Sequence, residues 1–232
     1  PLDIPSTYNG LPVTFIDGAF WQCHGLTSIT IPKSVIEIGS DTFRECSSLT
    51  SIVIPDSVTS IGRSAFYLST NLTSITIGDS VTSIGKSAFR NCTSLTSITI
   101  PDSVTSIGKS AFRNCTSLTT VTFEGDAPTF ESQVFAGSSF ATVYYNVTKS
   151  GWSGTVARVP AIGMHAASVE DLTFTLNGSS TEYSVTDCLE AANGSLYIPN
   201  TYNGLPVTSI GTSAFYNCRL SSIAIGLSLI HI

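Results

Sequence analysis

The fold is decided by the stretch Leu95-Thr-Ser-Ile98-Thr-Ile100-Pro101-Asp-Ser-Val104-Thr-Ser-Ile107-Gly108-Lys-Ser-Ala111-Phe112-Arg-Asn-Cys115, which recurs along the chain. Its template is L-x-x-I-x-I-P-x-x-V-x-x-I-G-x-x-A-F-x-x-C. Six phenylalanines mark the template at intervals of 23 residues: Phe20, Phe43, Phe66, Phe89, Phe112 and Phe135. Self-similarity at a fixed period is the sequence signature of a stacked repeat architecture.

The first half of the template predicts two short strands in each coil. Leu95, Ile98 and Ile100 alternate with polar residues and are mostly β-branched, which is typical of a half-buried strand. Pro101 ends that strand because it has no N–H to donate to a ladder. The segment 104–107 then begins a second extended stretch.

The second half of the template predicts a turn. Gly108 allows the backbone to turn where a Cβ would obstruct it. Ala111, Phe112 and Cys115 are expected to face inward from a tight helical turn that closes the coil. Since no segment is long enough for a proper α-helix, the solenoid should be mostly β.

The pattern resembles the leucine-rich repeats of the BspA-like family of bacterial surface proteins. The coils of residues 26–115 carry the resemblance, and it continues through Leu118-Thr-Thr-Val121-Thr-Phe123 to Phe135. It implies a right-handed, curved leucine-rich repeat solenoid with a parallel strand ladder and short helical or 3-10 turns. It also implies a cell-surface or secreted protein that acts in adhesion or host interaction.

Two repeat blocks are expected along the chain. Residues 1–145 form a first block of about six coils with a truncated N-terminal cap, and residues 146–167 form its end, where Trp152 is suited to cover the apolar end of the stack. Residues 168–232 begin a second block, because 198–207 nearly repeats 4–13. Both blocks are interpreted as truncated. The tail 227–232 is either adaptor sequence read through from a metagenomic contig or a natural divergent strand.

Composition excludes several classes of protein. The chain of 232 residues is 42% hydrophobic and only 11% charged, against roughly 25% in typical globular domains. That argues against disorder, which requires few apolar residues and high net charge. A net charge of −6 argues against a nucleic-acid partner, which requires a basic excess. No apolar run is long enough for a membrane span, so no membrane insertion is expected.

No residue pattern predicts catalysis. The three histidines, His24, His165 and His231, lie far apart with no paired acid or nucleophile in a recognisable setting. No phosphate-binding glycine loop or zinc-type C-x-x-C is present. We therefore expect no enzyme activity, no catalytic residue, no metal and no cofactor.

Five of the six cysteines occupy one template position, which Ser69 and Ser138 fill in other coils. These cysteines are Cys23, Cys46, Cys92, Cys115 and Cys218. Neighbouring strands lie about 4.8 Å apart, so Cys23 with Cys46, or Cys92 with Cys115, are candidate disulfides. The alternative is a small buried thiol that is interchangeable with serine.

Outward positions supply the candidate binding residues. The exposed sheet face is expected to present Ser51, Ser74, Thr76, Ser97, Thr99, Thr120 and Thr122. The rim is expected to present Trp21, Tyr67, Arg90, Arg113 and Tyr216, of residue types enriched at binding hot spots.

Charged residues form lines along the coils. The basic lines are Arg63, Lys86 and Lys109 after the glycine, and Arg44, Arg90 and Arg113 after the phenylalanine. Like charges one coil apart repel by only about 1 kcal/mol in water. We interpret these lines as solvated faces left by duplication.

The sequence favours a non-catalytic module that binds a protein or glycan ligand on host or neighbouring cells. One alternative is a passive stalk of a larger surface protein or enzyme. A remote alternative is binding to ice or another crystal surface, which the regular Ser-x-Thr ladders resemble and Val53 interrupts.

Overall fold

A computed structural model describes residues 2–166, 170, 172–180, 182–189, 192–198, 201–216 and 218–225. The chain divides into two compact units. The first comprises 1–145 and 149–162, and the second comprises 146–148 and 163–232. The 227–232 tail lies outside the described residues.

In the first unit, the strands that precede the template proline pair in parallel with their counterparts in neighbouring coils. Leu2–Asp3 pairs with Ile29–Thr30, Ser51–Val53 pairs with Ser74–Thr76, and Ser97–Ile100 pairs with Thr120–Phe123, which pairs in turn with Thr142–Asn146. Ile98 lies opposite Val121, one period along the chain. Both side chains are buried while their strand neighbours face outward, as the alternation predicts.

The template segment between proline and glycine builds a second sheet. Six two-residue strands pair in parallel in coil order: Phe15–Ile16, Glu37–Ile38, Ser60–Ile61, Ser83–Ile84, Ser106–Ile107 and Thr129–Phe130. The first five of these strands each direct a buried isoleucine into the core. The two sheets therefore enclose one continuous apolar interior, and the expected parallel β-solenoid is confirmed.

The prediction of a helical turn after the glycine is wrong, since the described residues of the first unit contain no helix. In each of the four inner coils, those of Phe43, Phe66, Phe89 and Phe112, two non-glycine residues adopt positive φ, for example Ser87 at 57° and Asn91 at 61°. Left-handed residues interrupt a right-handed helix. The segment instead directs alternate N–H groups to the next coil, as Ser87 donates to the Lys109 carbonyl at 2.9 Å and Phe89 donates to the Ala111 carbonyl at 2.8 Å.

The template glycine is required because neighbouring coils approach closely at that point. A Cβ on Gly85 would lie 2.6 Å from the carbonyl carbon of Gly62, and a Cβ on Gly108 would lie 2.5 Å from the Lys86 nitrogen. Neither glycine has a positive φ. The obstruction expected from sequence is thus confirmed, and its source is the backbone of the preceding coil.

The six template phenylalanines form one continuous stack inside the first unit. Ring centres of consecutive members lie 5.2–5.5 Å apart, and the planes differ by 4–15°. The four inner rings are fully buried. Near-parallel rings at this separation add about 0.5–1.5 kcal/mol per pair beyond the burial of their area.

The template cysteines are free thiols that bond to the preceding coil. The Sγ atoms of Cys46, Cys92 and Cys115 each donate to the carbonyl of a phenylalanine 26 residues earlier, at 3.0–3.1 Å. Ser69 and Ser138 donate to the equivalent carbonyls at 2.8 and 2.7 Å. Of the two alternatives, the structure shows free thiols rather than disulfides. Serine can replace cysteine at this position because both side chains donate the same hydrogen bond to the preceding coil.

The first unit ends at an aromatic cluster. The Trp152 ring stacks on Tyr145 at 4.7 Å and lies 4.9 Å from Phe123, and its Nε1 donates to the Gly125 carbonyl at 3.2 Å. A short antiparallel pair, Thr155–Val156 with the start of Val159–Ala166, follows. Trp152 is therefore half-buried against the core at the end of the coils.

The second unit has its own apolar core, which includes Val185, Leu196 and Val207. Leu172–Leu176 pairs antiparallel with Tyr183–Cys188, which pairs in parallel with Leu205–Ile210. Ala192–Ile198 pairs in parallel with Arg219–Ile225 and with the end of Val159–Ala166.

The duplicated segments 4–13 and 198–207 form equivalent hairpins. Thr7–Tyr8 pairs antiparallel with Leu11–Pro12, and Thr201–Tyr202 pairs antiparallel with the start of Leu205–Ile210. The same turn sequence, Asn-Gly, links the two strands of each hairpin, and this dipeptide is a strong signal for a hairpin turn.

Candidate binding surfaces

The first candidate surface is the Ser/Thr face, defined by Ser51, Ser74, Thr76, Ser97, Thr99, Thr120 and Thr122. The first five side chains are exposed and the last two are half-buried. The strand register places Ser51 opposite Ser74, Ser97 opposite Thr120, and Thr99 opposite Thr122. The structure thus brings these residues onto one side of the strand ladder, with Val53 opposite Thr76 as an apolar interruption.

Hydroxyls on the Ser/Thr face differ from those of the threonines that directly precede a strand. Thr59, Thr82 and Thr105, beside the second sheet, each donate to a backbone carbonyl of the preceding coil at 3.1–3.3 Å. Within the described part of the chain, no side-chain hydrogen bond engages the hydroxyls of the Ser/Thr face. Thr73 and Thr119, which directly precede strands of the first sheet, bond to the preceding coil in the same way. The hydroxyls of the Ser/Thr face lie within the strands and are therefore free to meet a ligand, whereas threonines directly before a strand hold adjacent coils together.

The second candidate surface is the rim ladder, defined by Trp21, Arg44, Tyr67 and Arg90. All four follow the template phenylalanine and come from adjacent coils. The Arg44 Cζ lies 5.2 Å from the ring centre of Trp21 and 5.0 Å from that of Tyr67, and the Arg90 Cζ lies 5.7 Å from Tyr67. These distances are within the range of cation–π attraction, about 6 Å.

Of the predicted rim residues, the structure joins Trp21, Tyr67 and Arg90, and it places Arg113 at the equivalent position of the next coil. Tyr216 belongs to the second unit, and its side chain is exposed. Arg44, which is not among the predicted rim residues, bridges Trp21 and Tyr67. Its template position, directly after the phenylalanine, was the signal that could have identified it.

Arg44 also contacts two acidic side chains. It forms ion pairs of 3.2 Å with Asp41 and with Glu45. The Gln22 amide donates to Glu45 and, together with Arg44, holds the pKa of that carboxyl below its ordinary value. Arg44 is therefore neutralised within the chain.

A shallow groove of about 270 Å³ lies beside the rim ladder. Its basic lining residues are Arg44, Arg63, Lys86 and Arg90. Tyr67, Ser64 and Ser87 complete the lining, which contains no acidic side chain.

Histidine and the other side chains that can bind metal ions form the next set of candidate residues in the described part of the chain. His24 is exposed, and its ring Nδ1 lies 3.3 Å from the Ser47 hydroxyl. No cluster of three His, Cys, Asp or Glu side chains there is arranged to hold a metal ion. The same residues include no helix with the length and apolar character to cross a membrane.

Comparison with protein families identifies the repeat. The family model described as BspA type leucine rich repeat region matches six copies, over residues 14–142 and 190–232. A comparison with curated protein sequences found no match.

Two crystal structures are similar to this chain. A leucine-rich repeat protein from Bacteroides ovatus is 25% identical with a TM-score of 0.55, and the alignment covers 100% of this chain and 70% of that one. A leucine rich cell surface protein from Faecalibacterium prausnitzii is 25% identical with a TM-score of 0.51, and the alignment covers 96% of this chain and 68% of that one. Both share the stacked-coil fold.

Proposed function

Because this chain belongs to the BspA-type leucine-rich repeat family, we propose that it is a non-catalytic binding module of a bacterial cell-surface or secreted protein. The module holds a protein or glycan ligand of host or neighbouring cells, and so serves adhesion. The similarity to a leucine rich cell surface protein supports the location. The regular stack supports a broad surface rather than a single cavity, since solenoids use extended faces for binding.

One observation carries the proposal: among the described residues, the hydroxyls of the Ser/Thr face make no side-chain hydrogen bond and most of them are exposed, while threonines directly before a strand are bonded to backbone. Thr76 and Thr99 are exposed, yet Thr82 and Thr105 donate to carbonyls at 3.1 and 3.3 Å. Hydroxyls both donate and accept, so an array of them recognises sugar hydroxyls or backbone amides without requiring charge.

The test is binding to an array of extracellular-matrix proteins and mucin glycans. Thr76→Lys with Thr99→Lys is expected to abolish binding, because two bulky charges interrupt the hydroxyl array. Ser83→Lys with Ser106→Lys is the matched control, since it adds the same charge to outward positions of the second sheet without removing a hydrogen bond between coils.

Two outcomes contradict the proposal. Equal binding by the two double variants would remove the Ser/Thr face as the binding site. The absence of binding by the unaltered chain to every arrayed ligand would favour the passive stalk.

A further inference from the structure

Most of the positive charge of this acidic chain is concentrated on one turn of the solenoid. Six of the ten lysines and arginines occupy two template positions there: Arg44, Arg63, Lys86, Arg90, Lys109 and Arg113. The whole chain nevertheless carries a net charge of −6. We define the basic turn face as the five of these residues that come from three adjacent coils, Arg63, Lys86, Arg90, Lys109 and Arg113.

Backbone hydrogen bonds hold the basic turn face in register. Ser64 N–H donates to the Lys86 carbonyl, and Ser87 N–H donates to the Lys109 carbonyl, both at 2.9 Å. Adjacent coils are therefore at strand spacing, about 4.8 Å. The cations recur once per coil along each line, and the outer two coils lie roughly 10 Å apart.

No acidic residue lies within these three turns. Segments 63–68, 86–91 and 109–114 contain neither aspartate nor glutamate. Acidic residues occur at both ends, where Asp41 and Glu45 pair with Arg44, and the Glu131 carboxylate accepts a bond from the backbone N–H of Lys109 at 2.9 Å. Among the described residues, no ion pair involves a side chain of the basic turn face.

Arg90 and Arg113 occupy equivalent positions in adjacent coils, and neither forms an ion pair within the described residues. The Nε atoms of both are buried with no hydrogen-bond acceptor. Arg113 donates from Nη1 to the Gln133 side-chain oxygen at 3.3 Å, and the guanidinium of Arg90 faces the Tyr67 ring. Because no acidic side chain neutralises either arginine, an anion that lies along this face gains attraction from both.

We propose that the basic turn face binds an extended acidic glycan, a polysaccharide that carries sulfate or carboxylate groups along its length. One pyranose unit of an extended chain is close in length to one strand spacing, so anionic sugars follow the coils one to one. Side chains on one face of an extended peptide recur about every 6.8 Å. An acidic peptide therefore falls out of register within three coils.

This site is separate from the Ser/Thr face, so the two proposals fail independently. The probe is heparin, with chemically desulfated heparin, poly-glutamate and a single-stranded oligonucleotide as comparison ligands. Binding is measured on the full chain by surface plasmon resonance at several salt concentrations. Lys86→Gln/Lys109→Gln is compared with Lys33→Gln/Lys149→Gln, which changes the net charge equally from outside the basic turn face.

We expect the unaltered chain to bind heparin, and Lys86→Gln/Lys109→Gln to weaken binding at least about tenfold. The slope of log affinity against log salt concentration should become shallower by the contribution of about two neutralised charges. The control pair stays near the unaltered affinity. Since Lys86 and Lys109 are exposed and form no ion pair among the described residues, thermal unfolding of Lys86→Gln/Lys109→Gln should match that of the unaltered chain.

Three results would overturn the inference: no heparin binding, equal loss in the two double variants, or binding to desulfated heparin as tight as to heparin. Tighter binding of poly-glutamate or of the oligonucleotide than of heparin would overturn the assignment to a glycan. In each case binding through the Ser/Thr face is unaffected.

Discussion

The buried thiols make alkaline pH a specific probe of the solenoid. Burial raises the pKa of Cys46 and of Cys115 to about 12, and the pKa of Cys92 is also raised. An unfolded thiol loses its proton with a pKa of about 8.5. Between these two values the folded state binds more protons than the unfolded state, so the free energy of unfolding falls as pH rises. This stabilisation is fully present below about pH 8.5.

The size of the effect follows from the slope of about 1.36 kcal/mol per pH unit for each proton. Between pH 9 and pH 10.5, each thiol with a folded pKa near 12 removes about 2 kcal/mol of stability. The matched variant is Cys46→Ser/Cys115→Ser, because Ser69 and Ser138 already donate to the equivalent carbonyls at 2.8 and 2.7 Å. At pH 7 we expect its stability to stay within about 1 kcal/mol of the unaltered chain.

The assay is urea unfolding followed by far-UV circular dichroism, with reductant present, from pH 7 to pH 10.5. Titration of lysine and tyrosine affects both proteins alike, so the difference between them isolates the thiols. The unaltered chain should lose about 4 kcal/mol more than the double variant between pH 9 and pH 10.5. A difference that stays constant over this range would refute the assignment of Cys46 and Cys115 as buried donors.

Three further substitutions test the packing of the first unit by urea unfolding. Gly85→Ala should lower the free energy of unfolding by about 1–3 kcal/mol, because its Cβ would lie 2.6 Å from the Gly62 backbone. Gly25→Ala is the control and should be near neutral, because its Cβ meets nothing within 4 Å. Equal effects of the two substitutions would contradict the close approach of the coils at Gly85. Phe89→Ala should cost about 3–5 kcal/mol, and more than the same change at half-buried Phe20, which stacks on one ring instead of two. Trp152→Ala should cost roughly 1.5–3 kcal/mol by uncovering the end of the core, and an unchanged unfolding midpoint would show that the ring covers nothing.

Much of the fold was predictable because the same residue pattern recurs in every coil, which allows short apolar segments to be assigned to strands. Ile98 and Ile100 alone do not distinguish a strand from other apolar segments, but the same pattern in every coil does. The inward position of Phe112 follows from the same recurrence. The conformation of the turn was not predictable in this way: Ser87 and Asn91 adopt positive φ, which neither residue type requires, because alternate N–H groups must reach the next coil.

The candidate site was predictable as a set of positions and not as contacts. The residues after each phenylalanine identified Trp21, Tyr67 and Arg90 as rim candidates, but nothing local to Arg44 showed that it bridges two rings. Exposed threonines looked equivalent in the sequence. The structure separates Thr82, bonded to the preceding coil at 3.1 Å, from Thr76, whose hydroxyl is free.

The sequence by itself determined the period, the inward residues and the strand–proline–strand–glycine order of each coil, since burial imposes these choices on every repeat. Only the tertiary structure decided which polar side chains remain free, because each coil's hydrogen-bond partners belong to a coil about 23 residues away. It also joined cations from three coils into one face and showed that acidic residues stop at its ends. Charge that looked dispersed in an acidic chain is concentrated by stacking, which brings one template position from every coil onto the same line.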